Sequence, residues 1–274
     1  MQLGISSFTY GWNVGLPQNM PAKPFSELDL IDKAVQFNAS VLQIGDNLPL
    51  HEFDKSRLGV FTETLKEKKV QLEVGAKGMN AENLYRYILL AAEAGSRLLR
   101  FVTDSAGYQP TVKEIIELVN KHVSLLKKYD ITLALENHDR LKVRELAAII
   151  ETVNSPNVGI CLDTVNSIGA GESIDIVIAL LGPHTVNLHI KDFGIERLPH
   201  NMGFMVEGRI AGGGMLDIPS LLREIKGFDK CRTVILEQWV IPENKLEDTV
   251  IKEALWAKKS FQYLESVLAA ESRR

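Results

Sequence analysis

Eight short apolar runs, each followed by a helical pattern, constrain this chain's fold more than any other feature. The runs are Leu3–Phe8, Val41–Gly45, Gln71–Gly75, Leu98–Val102, Thr132–Glu136, Gly159–Asp163, Val186–Ile190 and Val234–Glu237. Their length and their aliphatic or β-branched content are those of parallel strands buried on both faces. Apolar residues recur at helical spacing over Asp29–Phe37, Leu58–Lys68, Glu82–Ala94, Thr111–Tyr129, Val143–Val153, Ile174–Leu181, Ile218–Ile225 and Leu246–Leu268. Asp217 is a plausible N-cap for the seventh of these helices, with Pro219 in its first turn. Strict alternation implies right-handed crossovers and a parallel sheet. Eight strands favour closure into a (β/α)8 TIM barrel of the α/β class, a single domain over residues 1–274. A doubly wound sheet would carry a glycine-rich phosphate turn after its first strand, and SSFTYGWNVG has no G-x-G-x-x-G. There is no internal repeat, low-complexity segment or linker. The longest irregular stretch, Asp192–Asp217, follows the seventh strand, where a loop of that length points to function or disorder.

Four consecutive strands end in a potential metal ligand: Glu136 in LENHD, Asp163 in LDTVNS, His189 in LHIKDF and Glu237 in LEQW. Taken singly, a carboxylate at a strand end is a cap or a solvated group, and a lone His is a satisfied core residue. Taken together at adjacent strand ends, the four converge on the C-terminal mouth, where barrel enzymes keep their chemistry. Burying three carboxylates together without a cation strongly disfavours their ionised forms. The set therefore predicts a site for one hard or borderline divalent cation, with about two of six positions left for substrate or water. Such an ion polarises a carbonyl and stabilises an enediolate, while Glu136 and Glu237, on opposite sides, serve as base and acid.

Bulk properties narrow the partners. A net charge of −4 argues against nonspecific binding to nucleic acid or an anionic membrane. No apolar run is long enough for a membrane helix. Cys161 and Cys231, at predicted strands, read as free buried thiols of a reducing compartment. With Met1 leading straight into the first strand, the expected location is cytoplasmic.

The segments LENHD, LDTVNS, LHIKDF, RIAGGGMLDIP and LEQW, in this order, resemble the xylose isomerase-like barrel superfamily over nearly the whole chain. Its members include ketose 3-epimerases, hydroxypyruvate isomerases, inosose and dehydroshikimate dehydratases, and endonuclease IV. The resemblance implies that Glu136, Asp163, His189 and Glu237 hold Mn2+, Mg2+ or Co2+. It also implies that the two glutamates handle the proton and that the protein is a homodimer or homotetramer. Asn166 stands where the epimerases usually have a substrate-contacting His, and Ile195 where they tend to have Arg. Lys191 in HIKD resembles the dehydratase and sugar-isomerase-like branches, and its ammonium is suited to a carboxylate or an enolate oxygen. The openings ISSFTYGW and QIGDNLPLH are similar to a sugar-acid branch that includes 3-oxo-isoapionate decarboxylase.

The leading expectation is thus an isomerase or epimerase of a small sugar or sugar acid. Decarboxylation of a 3-oxo sugar acid, or dehydration of an oxo-cyclitol, is the alternative. A nuclease of the endonuclease IV type needs more histidines at strand ends; of six histidines only His189 is so placed, and Asn166 stands where that motif would have one. A silent sugar binder would not need two opposed glutamates. Catalytic candidates are Glu136, Glu237 and Lys191. Substrate-binding candidates are Tyr10 and Trp12 after the first strand, His51 after the second, His138, Asn166 and Arg209. Each has a plainer reading: core cap for Tyr10 and Trp12, surface loop for His51 and Arg209, support of Glu136 for His138 and its neighbour Asn137. Gly212–Gly214 is either an anion-wrapping backbone or a tight turn before the helix at Ile218.

Overall fold

In the computed structural model, which describes residues 1–272, the eight expected strands close into one parallel barrel. The strands are β1 (Gln2–Ser6), β2 (Val41–Ile44), β3 (Gln71–Lys77), β4 (Leu98–Val102), β5 (Thr132–Glu136), β6 (Val158–Asp163), β7 (Thr185–Ile190) and β10 (Thr233–Leu236). Pairing runs in chain order from β1 to β7, and β10 closes the ring by pairing with both β7 and β1. The outer layer is α2 (Glu27–Phe37), α3 (Lys55–Lys68), α4 (Ala81–Glu93), α5 (Val112–Tyr129), α6 (Val143–Val153), α8 (Ile174–Leu181), α9 (Ile218–Gly227) and α10 (Leu246–Ser272). Two single turns, α1 (Gly11–Val14) and α7 (Asn166–Gly169), sit in the loops after β1 and β6. No helix among the described residues is long and apolar enough to cross a membrane.

Local chemistry sets the boundaries. Ser26 with Asp29, and Thr111 with Glu114, form reciprocal capping boxes that start α2 and α5. Four helices end on a left-handed C-cap residue: Asn38, Lys69, Asp130 and Asn154. Each helix buries one stripe. In α4 the buried residues are Leu84, Tyr87, Ile88 and Ala91, a helical spacing that faces the barrel. Truncating a fully buried residue such as Ile88 to Ala would cost about 2–5 kcal/mol.

The barrel strands also carry a buried polar cluster. Buried Glu73 accepts hydrogen bonds from Thr233 Oγ1 (2.7 Å) on β10, Gln43 Nε2 (2.9 Å) on β2 and Asn187 Nδ2 (3.1 Å) on β7. Burial pushes the Glu73 carboxyl above its ordinary range, and these donors only partly oppose it. This layer is the floor beneath the C-terminal mouth.

The stretch Asp192–Asp217 is not irregular throughout. It contains an antiparallel ribbon, β8 (Asp192–Arg197) with β9 (Phe204–Arg209), in register from Asp192 opposite Arg209 to Arg197 opposite Phe204. Phe193 is buried, but Ile195, Phe204, Met205 and Val206 are exposed, so the ribbon shows no buried alternation that would mark it in the sequence. Cys231 is buried two residues before β10 rather than within a strand.

Candidate metal centre

Glu136 and Asp163 are the last residues of β5 and β6, His189 is the penultimate residue of β7, and Glu237 follows β10 directly. Parallel pairing staggers them: Asp163 is opposite His189, and Glu136 is opposite Cys161. All four are essentially solvent-inaccessible. His189 Nδ1 is their common neighbour, 3.5 Å from Glu237 Oε1, 3.9 Å from Glu136 Oε2 and 4.0 Å from Asp163 Oδ2. Donor atoms of Asp163, His189 and Glu237 lie within 4.8 Å of one another, and Glu136, Cys161 and His189 form a second such group. Glu136 thus joins the ring through the imidazole, drawn aside by a cation that the sequence reading passed over.

That cation is Arg100 of β4. Its guanidinium is buried, its Nε forms an ion pair with Glu136 Oε2, and its Nη1 is 3.1 Å from Asp46 Oδ1 after β2. Burial alone would lower the Arg100 pKa, but Glu136, Asp46 and Glu237 hold it above its ordinary value. The sequence signal was one arginine in the otherwise apolar run LLRFV. A second cation, half-buried Lys191, places Nζ 2.8 Å from Asp163 Oδ2 and 3.0 Å from Glu237 Oε2. Burial opposes its charge, and Asp163, Glu237 and Glu136 more than compensate. Burial likewise pushes the Glu237 carboxyl up, yet His189, Lys191 and Arg100 bring it down to about 2.

Further contacts set the ligands' orientation. Ser6 Oγ donates to Glu237 Oε1 at 2.9 Å. Asn166 Nδ2 donates to Glu136 Oε1 at 2.8 Å, while the Val165 and Asn166 amides donate to Asp163 Oδ1. Asn137 holds Asp163 rather than Glu136: its side chain accepts from Asp163 N (2.7 Å) and donates to Asp163 O (2.9 Å). Cys161 lies beneath, donating through Sγ to Asn187 Oδ1, and burial keeps it a thiol.

The remaining sequence candidates are placed elsewhere. Tyr10 is in the core against Phe25. His51 pairs with Tyr87 Oη at 2.7 Å, between the β2 loop and α4. His138 turns to Asp139. Arg209 is held in the ribbon by Glu196, Glu207 and its own neighbour's carbonyl, and Arg197 stacks over Phe204. Trp12 donates its indole N–H to Val240 O and, with Phe8, Trp239 and Pro242, lines a mostly apolar cavity of about 420 Å³. The backbone N–H groups of Gly212, Gly214 and Leu216 are taken by the Asp192 carboxylate, so this glycine turn already wraps an anion of its own chain. Of the other histidines, His122 bonds Leu118 O on α5, His184 faces Glu151, and His200 bonds the Met202 amide.

The donor set fits a divalent cation. Both His189 nitrogens are buried and make no hydrogen bond with any described residue, and the carboxylate oxygens around them, Glu136 Oε2, Asp163 Oδ2 and Glu237 Oε2, are met only by the side-chain cations Arg100 and Lys191. Three carboxylates and an imidazole suit Mn2+, Mg2+ or Co2+ rather than a soft ion.

Residues 77–266 match the family described as xylose isomerase-like TIM barrel. The chain is 30% identical over 264 residues to a 3-oxo-isoapionate decarboxylase of Pectobacterium atrosepticum, covering 96% of this chain and 95% of that one. Its fold is similar to that of a D-psicose 3-epimerase from Clostridium cellulolyticum H10 solved with D-tagatose (TM-score 0.72, 14% identity, 98% and 99% of the two chains). It is similar also to a xylose isomerase-like TIM barrel protein from Mycobacterium smegmatis in complex with magnesium (TM-score 0.68, 14% identity, 95% and 97%).

Proposed function

The chain belongs to the xylose isomerase-like TIM barrel family, and on that premise we propose that it is a metal-dependent decarboxylase of a 3-oxo sugar acid. Glu136, Asp163, His189 and Glu237 would hold one divalent ion, which supplies an electrophile for the substrate's carbonyl and hydroxyl oxygens. The observation that carries the choice of an acid is the pair of cations within the carboxylate ring, buried Arg100 and partly exposed Lys191. Arg100 is shared with Asp46, which leaves Lys191 as the cation of the ring free to turn to an anionic substrate once a divalent ion balances the carboxylates. Lys191, partly open to the mouth, is the group to meet a substrate carboxylate or the oxygen of the enolate.

In a 3-oxo acid the C1–C2 bond breaks, its electron pair enters the C2–C3 enolate, and C2 then takes a proton. Glu237, with Ser6 on one oxygen, and Glu136, with Asn166 on one oxygen, flank the imidazole from two sides and are the candidates to deliver that proton. The same opposed pair favours a second reading, 1,2-isomerisation or 3-epimerisation, in which one glutamate removes a proton and the other returns it. The 30% relative across the full chain, and the lysine in the ring, support decarboxylation as our first reading. Incubating metal-loaded protein in D2O with ketoses and 3-oxo sugar acids, followed by NMR, separates the two. CO2 release with deuterium at the former C2 is expected. Deuterium beside a carbonyl without CO2 would support the isomerase reading instead.

A further inference from the structure

The Lys191 ammonium contacts Asp163 Oδ2 and Glu237 Oε2, two oxygens of the proposed metal ring. It answers only part of the ring: both His189 nitrogens are left without a hydrogen bond, and Glu136 Oε2 faces Arg100 instead. The lysine's backbone is fixed, since its N–H donates to Thr164 Oγ1 (2.9 Å) and its C=O accepts from that hydroxyl (2.7 Å). Its side chain is therefore the movable part, a four-carbon stem with 16% exposure toward the mouth. An ammonium and a divalent ion bridging the same pair of buried oxygens would repel strongly at low dielectric.

Resting on the metal reading above, we propose that Lys191 is a built-in counter-ion of the ring that the divalent ion displaces. Metal loading then frees an ammonium at the mouth to take the substrate's anionic group. Metal binds first and at a reduced affinity, because it must replace a cation the protein supplies itself. The anion subsite comes into being only as the metal arrives, which couples the two events without any movement of the backbone.

The test is Mn2+ binding to chelator-stripped protein, read by calorimetry and by the EPR signal of free Mn2+, in the absence of substrate. Wild type should bind one ion, and Lys191→Met, which keeps the stem and removes the charge, should bind it at least about tenfold more tightly. Lys191→Gln serves if the Met variant does not fold, and Lys191→Arg should stay near wild type. Stripped of metal, Lys191→Met should melt below wild type, and the gap should close when Mn2+ is added. Equal or weaker Mn2+ binding by Lys191→Met, with wild type binding one ion, would overturn the displacement and leave the metal reading intact. Wild type that binds none of Mn2+, Mg2+ or Co2+ would overturn both.

Discussion

Glu136 accepts from Asn166 on one oxygen and faces Arg100 with the other, so its charge and direction are set from two sides. Removing the guanidinium by Arg100→Met leaves Glu136 and Asp46 without their cation, and breaking a buried pair costs about 3–5 kcal/mol. Urea unfolding should show that loss, and Arg100→Lys should recover only part of it, because a point charge cannot span both carboxylates as a fork does. A loss below about 1 kcal/mol would mean the pair is not buried in solution. At the chemical step, Glu237→Gln and Glu136→Gln that retain metal should lose about a hundredfold or more in kcat; unchanged turnover would remove them from proton transfer. The ligand residues were legible because each ends an apolar run, a pattern visible along the chain. Arg100 was not, because a single charge inside a strand carries no sign of which face it takes. Nor does a strand-end position show direction: Tyr10 and His51 follow strands yet turn to Phe25 and Tyr87 in the outer packing.

Among the elements, the barrel strands and their helices were legible from period and length, and β4, β5, α6 and α8 match their expected bounds. The ribbon β8–β9 was not, since strands that expose their apolar residues leave no buried alternation to read. Its anchor is Asp192, whose carboxylate accepts from the amides of Phe193, Gly212, Gly214 and Leu216. Gly208 in β9 packs so closely on the Trp239 carbonyl that a Cβ would clash there, which ties the ribbon to the strand end bearing Glu237. Asp192→Ala leaves those amides without their acceptor and should loosen the segment 192–217 while the barrel persists. Limited proteolysis should then cut within that segment, with the main thermal transition shifted by only a few degrees. Cleavage unchanged from wild type would show that the ribbon holds without this anchor.

For the molecule as a whole, the C-terminal helix closes the structure against the β1 loop through Glu253, which accepts from the amides of Trp12 and Asn13 and the Asn13 side chain. Burial raises the Glu253 carboxyl to about 7, despite those donors. The folded state therefore holds a proton that the unfolded chain gives up near 4.5. This contribution to stability is fully present below pH 4.5 and lost as pH rises through 7, about 3 kcal/mol in all. Wild type should lose stability from pH 5 to 8 relative to Glu253→Gln, which cannot ionise; parallel profiles would contradict the burial of that charge. The claim on which the functional account depends is that three carboxylates and one imidazole, from four neighbouring strand ends, hold one divalent ion. X-ray absorption of the protein loaded with one equivalent of Co2+ tests it directly. The account predicts a shell of oxygen and nitrogen only, with the scattering of a single imidazole. A sulfur neighbour would place the ion at Cys161 instead, and cobalt free in solution would remove the metal from the mechanism.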